Sequence, residues 1–182
     1  MATRLVLIRH GETDWNVQKR YMGSTDVALN GNGIAQAQDL AARLDKRGIS
    51  AVYSSDSSRA CDFARIVFPE FVITKKTGFR EMNFGIFEGL THEEILVRHG
   101  QVYDTWLRDP FTVAIPGGES FAALAARVRA AAGELAARHG NAVLAVVTHS
   151  GPIRALLQDA PSAQDFWGMR PDNASVYTIE VK

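Results

Sequence analysis

The chain has 182 residues, of which 46% are hydrophobic, and its 20 Lys and Arg are balanced by 20 Asp and Glu for a formal net charge of +0. That balance lacks the basic excess of a non-specific nucleic-acid binder, so any anion site must be local. The length suits a single domain over residues 1–182, able to bury roughly 70% of the surface its unfolded chain would expose.

Residues 1–4 lead into only four strongly apolar residues, too few for a signal peptide's hydrophobic segment or a membrane span, so a cytoplasmic protein is expected. Those four, Leu5-Val6-Leu7-Ile8, read as a fully buried strand of a parallel sheet. The strand stops at Arg9-His10-Gly11, and in open α/β sheets the carboxyl end of a strand is where ligands bind. The same tripeptide recurs as Arg98-His99-Gly100 and Arg138-His139-Gly140, both after helical patterns. There Arg and His complement the helix dipole, and Gly takes the left-handed residue past the cap. Residues 12–29, rich in Gly, Asn, Asp and Thr, form a loop long enough to expect a functional role. A helix then opens at Asn30-Gly31-Asn32, sets Ile34, Ala37, Leu40, Ala41 and Leu44 at helical spacing, and ends near Lys46-Arg47-Gly48.

A second strand at residues 49–53 runs into Ser54-Ser55-Asp56-Ser57-Ser58-Arg59-Ala60, a cluster of helix-capping side chains that carries an arginine. The helix holds Cys61, whose solitude excludes an intramolecular disulfide and a thiolate metal cluster, and reaches Pro69 before a third strand at residues 71–73. Residues 79–90, with Glu81 among glycines and aromatics, read as an ordered loop. Helices follow at 91–99 and 102–108, then an irregular stretch at 110–116. Gly118-Glu119-Ser120 starts the longest helix, alanine-rich to Arg138. Residues 142–147 are the clearest buried strand, ending in Thr148-His149-Ser150-Gly151-Pro152, with Pro152 suited to the first turn of a helix through Leu157. A short helix near 163–169 and a strand at 175–181 close the chain, with Trp106 and Trp167 anchoring helices to the core. This alternation predicts an α/β protein with a mainly parallel sheet.

Strand ends thus bring Arg9 and His10, Arg59 and His149 to one edge, with Glu81 on a loop that follows a further strand. Guanidinium forks bind phosphate oxygens bidentately and stay charged at any working pH. The amides of Ser150 and Gly151, at a helix N-terminus, would add donors. A neutral imidazole whose other nitrogen is held by an acceptor can attack phosphorus, splitting hydrolysis into phosphorylation and dephosphorylation of His10. Arg9, Arg59 and His149 would compensate the transferring charge, and no carboxylate cluster suggests a metal or other cofactor. Glu81 is the candidate to protonate a leaving alcohol and later deprotonate water; its blander alternative is a surface glutamate paired with Arg80. Lys19, Arg20 and Tyr21 are candidates for contacts beyond the phosphate, while Trp15 packs or lines the pocket.

Taken in order, several motifs closely resemble the histidine phosphatase superfamily, phosphoglycerate mutase-like branch. They are Arg9-His10-Gly11-Glu12-Thr13 with Asn16; Gly23 with Asp26, Leu29, Gly33, Gln36 and Ala37; Ser54-Ser55 with Arg59-Ala60; Glu81 with Phe84-Gly85 and Glu88-Gly89; and Thr148-His149-Ser150-Gly151. The resemblance spans nearly the whole chain. It implies a three-layer α/β/α sandwich, His10 as phosphorylated nucleophile, Arg9, Arg59 and His149 as phosphate clamp, Asn16 as an added phosphate contact and Glu81 as proton donor. Ser58 and Phe63 depart from the family's frequent leucine and threonine at helix-packing positions. Met22 precedes Gly23 where the mutases commonly hold substrate with a hydroxyl residue, which makes this pair candidates for substrate contact. The mutases also carry an extra segment with paired arginines after the catalytic glutamate. Here Glu81 runs straight into Met82-Asn83-Phe84-Gly85 and no Arg-Arg pair occurs, which favours a phosphatase. The compact size and the tract 106–121, with Pro116-Gly117-Gly118-Glu119-Ser120-Phe121, resemble the α-ribazole phosphatases and their broad-specificity relatives. The expected partner is a small phosphorylated metabolite, with neither nucleic acid nor membrane. A phosphoglycerate mutase and a catalytically silent phosphate-binding module stay open as alternatives, and a homodimer is compatible with the sequence.

Overall fold

Alternation of apolar side chains along the strands decides the layers. In the computed structural model, which describes residues 2–158 and 168–181, β1 (Thr3–Arg9), β2 (Ile49–Ser54), β3 (Ile73–Lys75), β4 (Val143–Thr148) and β5 (Val176–Val181) form one sheet in the order β3-β2-β4-β1-β5. Every neighbouring pair is parallel except β1 with β5. Leu5, Leu7, Tyr53, Leu144 and Val146 pack into one core with α5 (Phe121–His139) and α6 (Ser150–Leu157). Ile8, Val52, Ala145 and Val147 pack into the other with α2 (Gly31–Arg43) and α3 (Ser58–Val67). The result is the expected three-layer α/β/α sandwich. Leu5, Leu7 and Ile8 expose no surface, so truncating any of them to alanine costs about 2–5 kcal/mol.

Several boundaries differ from the sequence reading, each for a local reason. Helix α2 ends at Arg43, because Leu44 is extended and Asp45 accepts the Arg47 N–H at 3.0 Å and its guanidinium at 2.7 Å. Such a side-chain-to-backbone bond competes with helix continuation, and Gly48, at φ +81°, turns the chain toward β2 instead of closing the helix. The third strand begins at Ile73 rather than 71, since the Phe71 N–H is spent on the Phe68 carbonyl in the turn after α3. Within the 12–29 loop lies an unanticipated one-turn helix, α1 (Asp14–Val17), held by a reciprocal capping box between Thr13 and Asn16. The expected pair of helices at 91–99 and 102–108 is a single element, α4 (His92–Arg108), kinked at His99, where φ is −140°. Gly100 therefore closes no helix with a positive φ, whereas Gly140, at φ +54°, does end α5. The serine cluster also caps differently from expectation. Ser57 stands at the N-cap of α3 without a side-chain capping bond, and Asp26 from the loop accepts the Ser58 N–H at 2.8 Å and its hydroxyl at 2.9 Å.

Trp106 is buried as expected; Trp167 and most of the expected 163–169 helix lie outside the described residues. Among the described residues, no helix is long and apolar enough to cross a membrane.

Candidate active site

Parallel pairing in the order β2-β4-β1 puts three carboxyl ends side by side. The His10 N–H donates to the Thr148 carbonyl at 3.0 Å and the Ser55 N–H to the Val147 carbonyl at 2.9 Å, so His10 and Ser55 flank His149. The imidazoles of His10 and His149 lie edge to face, with centroids 5.0 Å apart. Both are buried.

His10 Nδ1 is 2.7 Å from the Gly11 carbonyl oxygen. A carbonyl only accepts, so Nδ1 carries the proton and Nε2 keeps its lone pair. Burial, together with the neighbouring Arg59 and Arg9 charges, pushes the His10 pKa well below the ordinary histidine value. The imidazole is therefore neutral at neutral pH and can act as a nucleophile. His149 is pushed down likewise by burial and by Arg59, and its Nε2 sits 2.8 Å from the Ser55 hydroxyl.

The two arginines are held by backbone. Arg59, fully buried at the start of α3, donates to the carbonyls of Gly23 at 2.8 Å and Thr25 at 3.0 Å. Arg9 donates to the Pro171 carbonyl at 2.5 Å. Burial lowers both guanidinium pKa values, but from a starting point so high that both stay cationic. Arg9 Nε, Arg59 Nε and His149 Nδ1 are buried without a hydrogen-bond partner among the described residues. Buried polar groups are rarely left so, and two buried guanidinium cations and an imidazole with unmatched nitrogens suit a multivalent oxyanion.

Glu81 takes a place the sequence did not indicate. Its carboxylate accepts the Met82 N–H at 2.8 Å and the Gly151 N–H at 3.1 Å. The Gly151 amide is thus turned to Glu81 rather than left to a phosphate, and a Cβ on Gly151 would stand 2.2 Å from Glu81 Oε1. Among the two amides expected to bind anion at the start of α6, only that of Ser150 has no such engagement. Nor is Glu81 paired with Arg80, whose guanidinium Nε lies 2.7 Å from Asp56 instead. Glu81 lines both a cavity of about 260 Å³, shared with Arg9, His10, Trp15, Asn16 and Lys19, and one of about 290 Å³, shared with Asp26, Arg59 and His149.

The remaining candidates divide. Asn16 lines the His10 cavity, with its Oδ1 committed to the Thr13 N–H at 3.1 Å and its Nδ2 left for a ligand. Met22 is buried and lines the same cavity, and Lys19 is exposed at its rim with φ +54°. Gly23 is fixed by space, since a Cβ there would meet the Met82 carbonyl at 1.8 Å. Arg20 lines the His10 cavity as well, with its NH1 donating to Glu94 at 2.8 Å and to the Gly89 carbonyl at 2.5 Å.

Two contributors went unassigned in the sequence. Glu88 gathers the N–H groups of Gly23, Ser24, Thr25 and Phe84 at 2.9–3.2 Å, building the loop whose carbonyls hold Arg59. It belonged to a quoted motif but had no role. Asn173 donates to the His10 carbonyl at 3.1 Å and to Asn16 Oδ1 at 3.3 Å, and Ala174, at φ +59°, turns its N–H onto the Arg9 carbonyl at 3.1 Å. No sequence signal marked that segment.

The family model of the histidine phosphatase superfamily (branch 1) matches residues 5–182. The chain belongs to this superfamily. Phosphoserine phosphatase 1 of Hydrogenobacter thermophilus is 31% identical over 98% of this chain and 87% of its own length. Among solved structures, Bacillus stearothermophilus YhfR superposes with a TM-score of 0.91 at 33% identity, covering 100% of this chain and 92% of that one. A putative alpha-ribazole-5'-P phosphatase from Escherichia coli gives 0.89 at 30% identity, over 100% and 92% of the two chains. This histidine phosphatase is accordingly a phosphomonoester hydrolase.

The two buried imidazoles make the phosphatase sensitive to acid. Their native pKa values lie below the unfolded value of about 6.5, so on acidification the unfolded chain binds protons that the native state refuses. Stability is expected to fall as pH drops below about 6.5, by up to ~1.4 kcal/mol per pH unit for each imidazole, and to be fully present above it. Urea unfolding between about pH 7 and pH 5 checks the slope, which His149→Asn should make shallower; an unchanged slope would remove His149 from the account.

Proposed function

We propose that this histidine phosphatase hydrolyses small phosphomonoesters without a metal, through a phosphoryl group carried on His10, and that its substrate is α-ribazole 5′-phosphate or a related small organic phosphate. The observation that carries the mechanism is the His10 imidazole, with Nδ1 donating to the Gly11 carbonyl, Nε2 without a hydrogen-bond partner among the described residues, and the Arg59 and Arg9 charges acting on the ring. Nε2 attacks phosphorus, the bond from phosphorus to the ester oxygen breaks, and Glu81 protonates the departing oxygen. Glu81, now a carboxylate, takes a proton from water as that water attacks phosphorus; the bond to Nε2 breaks and inorganic phosphate leaves. Nδ1 keeps its proton throughout, so His10 returns neutral. Arg9 and Arg59 compensate charge on the transferring oxygens, and the His149 imidazole, the Asn16 amide and the Ser150 N–H add neutral donors.

Release to water rather than return to a second hydroxyl is supported by the missing paired-arginine segment after Glu81. The α-ribazole reading is supported by the Escherichia coli neighbour and by the alpha-ribazole phosphatase of Shigella flexneri, at TM-scores of 0.89 and 0.86. The comparison that tests it is kcat/KM for α-ribazole 5′-phosphate against phosphoserine, 3-phosphoglycerate and a generic aryl phosphate, without added metal. A preference of at least ~100-fold for the first, or about 2.7 kcal/mol of transition-state discrimination, is the expected result. A flat profile would reduce the assignment to a general phosphomonoesterase, and isomerised phosphoglycerate without phosphate release would replace it with a mutase.

A further inference from the structure

We infer that Arg127 is the positioning residue that aims the Glu81 carboxyl at the leaving group, an inference that rests on the reading of Glu81 as proton donor.

Glu81 lies on residues 76–84, between the short edge strand β3 and the turn at Gly85. That segment has a single 3₁₀ turn, Thr77–Phe79, and touches the sheet at its start, where the Lys76 N–H donates to the Ser54 carbonyl at 2.8 Å and the Thr148 hydroxyl to the Phe79 carbonyl at 2.7 Å. Beyond Phe79 no strand or helix ladder fixes Glu81 as ladders fix His10 and His149. Arg127, on the second turn of α5, does so from outside. Its NH1 donates to the carbonyls of Gly78 at 3.1 Å and Arg80 at 2.8 Å, and its NH2 to the carbonyl of Glu81 itself at 2.8 Å. The remaining guanidinium hydrogens go to Glu119, Nε to Oε2 at 3.1 Å and NH2 to Oε1 at 2.7 Å. All five N–H groups of the planar fork are thereby used.

Glu119 then closes the frame on the far side of Glu81. Its Oε1 accepts the Asn83 N–H at 2.9 Å, while its own N–H donates to the Asn83 carbonyl at 3.0 Å. The backbone at 78, 80, 81 and 83 is thus pinned to one helix and its leading turn. Close packing leaves no slack: a Cβ on Gly78 would meet Ala131 Cβ at 2.6 Å, and one on Gly118 the Asn83 carbonyl at 2.4 Å. From this frame the Glu81 side chain reaches the Gly151 N–H on α6 at 3.1 Å. A lysine at 127 could not reproduce the fork, because a single ammonium cannot point at three carbonyls and a carboxylate in a plane.

A misplaced proton donor has a signature that general loosening lacks. An acidic phenol leaves without help, whereas an alkoxide must be protonated as it departs, so the loss should grow with the basicity of the leaving group. The experiment measures kcat/KM on p-nitrophenyl phosphate and on a simple alkyl phosphate for wild type, Arg127→Met, Arg127→Lys, Glu119→Gln, Glu81→Gln and the double variant Arg127→Met/Glu81→Gln, with thermal melts alongside. Arg127→Met should lose about tenfold or more on the alkyl ester and less than about twofold on the aryl ester, with Arg127→Lys between it and wild type. Glu81→Gln should lose on the order of 100-fold in the same pattern, and the double variant should be no worse than Glu81→Gln alone. If Arg127→Met does not fold, Arg127→Lys and Glu119→Gln carry the same ratio test. Equal losses on both esters, or multiplicative losses in the double variant, would overturn the role of Arg127. A Glu81→Gln enzyme indifferent to the leaving group would instead overturn the proton-donor reading beneath it.

Discussion

Replacing His10 by alanine is expected to lower kcat/KM by at least ~10,000-fold while leaving the protein folded. The size follows from the loss of the attacking atom, since removing a nucleophile leaves only the residual catalysis that binding and charge compensation provide. Among the described residues no second nucleophile stands ready: His149, the nearest imidazole, has its Nε2 at the Ser55 hydroxyl. The fold survives because the His10 side chain makes one hydrogen bond, to the Gly11 carbonyl, while the strand end is held by the His10 backbone N–H on Thr148. Losing that single bond costs about 1–3 kcal/mol, against which the variant no longer packs an imidazole between two guanidinium charges. Circular dichroism and a thermal melt establish the fold, and phosphate release gives the rate. Retention of a tenth or more of wild-type activity, in a folded variant, would remove His10 from the mechanism.

The second large effect belongs to Arg59. Arg59→Met keeps the length of the side chain and removes its charge, and is expected to reduce kcat/KM by about 100- to 1,000-fold, the range found when one stabilising donor is lost from a preorganised site. It should also abolish the rise in melting temperature that inorganic phosphate gives the wild type, because that rise measures binding to the native state. Arg59→Lys should rescue little. The guanidinium is built into two carbonyls, those of Gly23 and Thr25, that Glu88 presents by collecting four backbone N–H groups beneath them. An ammonium cannot reach both and still face a phosphate. A variant that keeps both its phosphate-induced stabilisation and its rate would show that Arg9 and His149 suffice as a clamp.

The features legible in the sequence were those written in local patterns. The apolar run before Arg9, the second run before His149 and the helical spacing between them fixed the parallel sheet and hence the meeting of His10, Arg59 and His149 at one edge. Three copies of Arg-His-Gly were separated correctly by what preceded them, although His99 proved to kink a helix rather than to end it. Features that depend on contacts between distant segments were not legible. Asp26 caps a helix that begins at Ser58, Glu88 serves a loop at Gly23, and Asn173 serves the His10 carbonyl. Each is an ordinary polar residue in its own neighbourhood and acquires a task only after the sheet has brought the segments together. The assignment of Gly151 to phosphate failed for the same reason, since its amide sees Glu81 only across the packed layer. The ion pair of Arg20 was hidden likewise, because its partner, Glu94, lies on α4.

The central claim is that phosphorus passes through a covalent bond to Nε2 of His10. Rapid quenching of the enzyme during turnover of a phosphorus-labelled substrate, into alkali that preserves phosphohistidine, tests it most directly. Label is expected on the peptide containing His10, bound at Nε2, forming and decaying at least as fast as turnover, with no label on His10→Ala protein. Turnover with no labelled protein at any quench time, or label on a different residue, would contradict it.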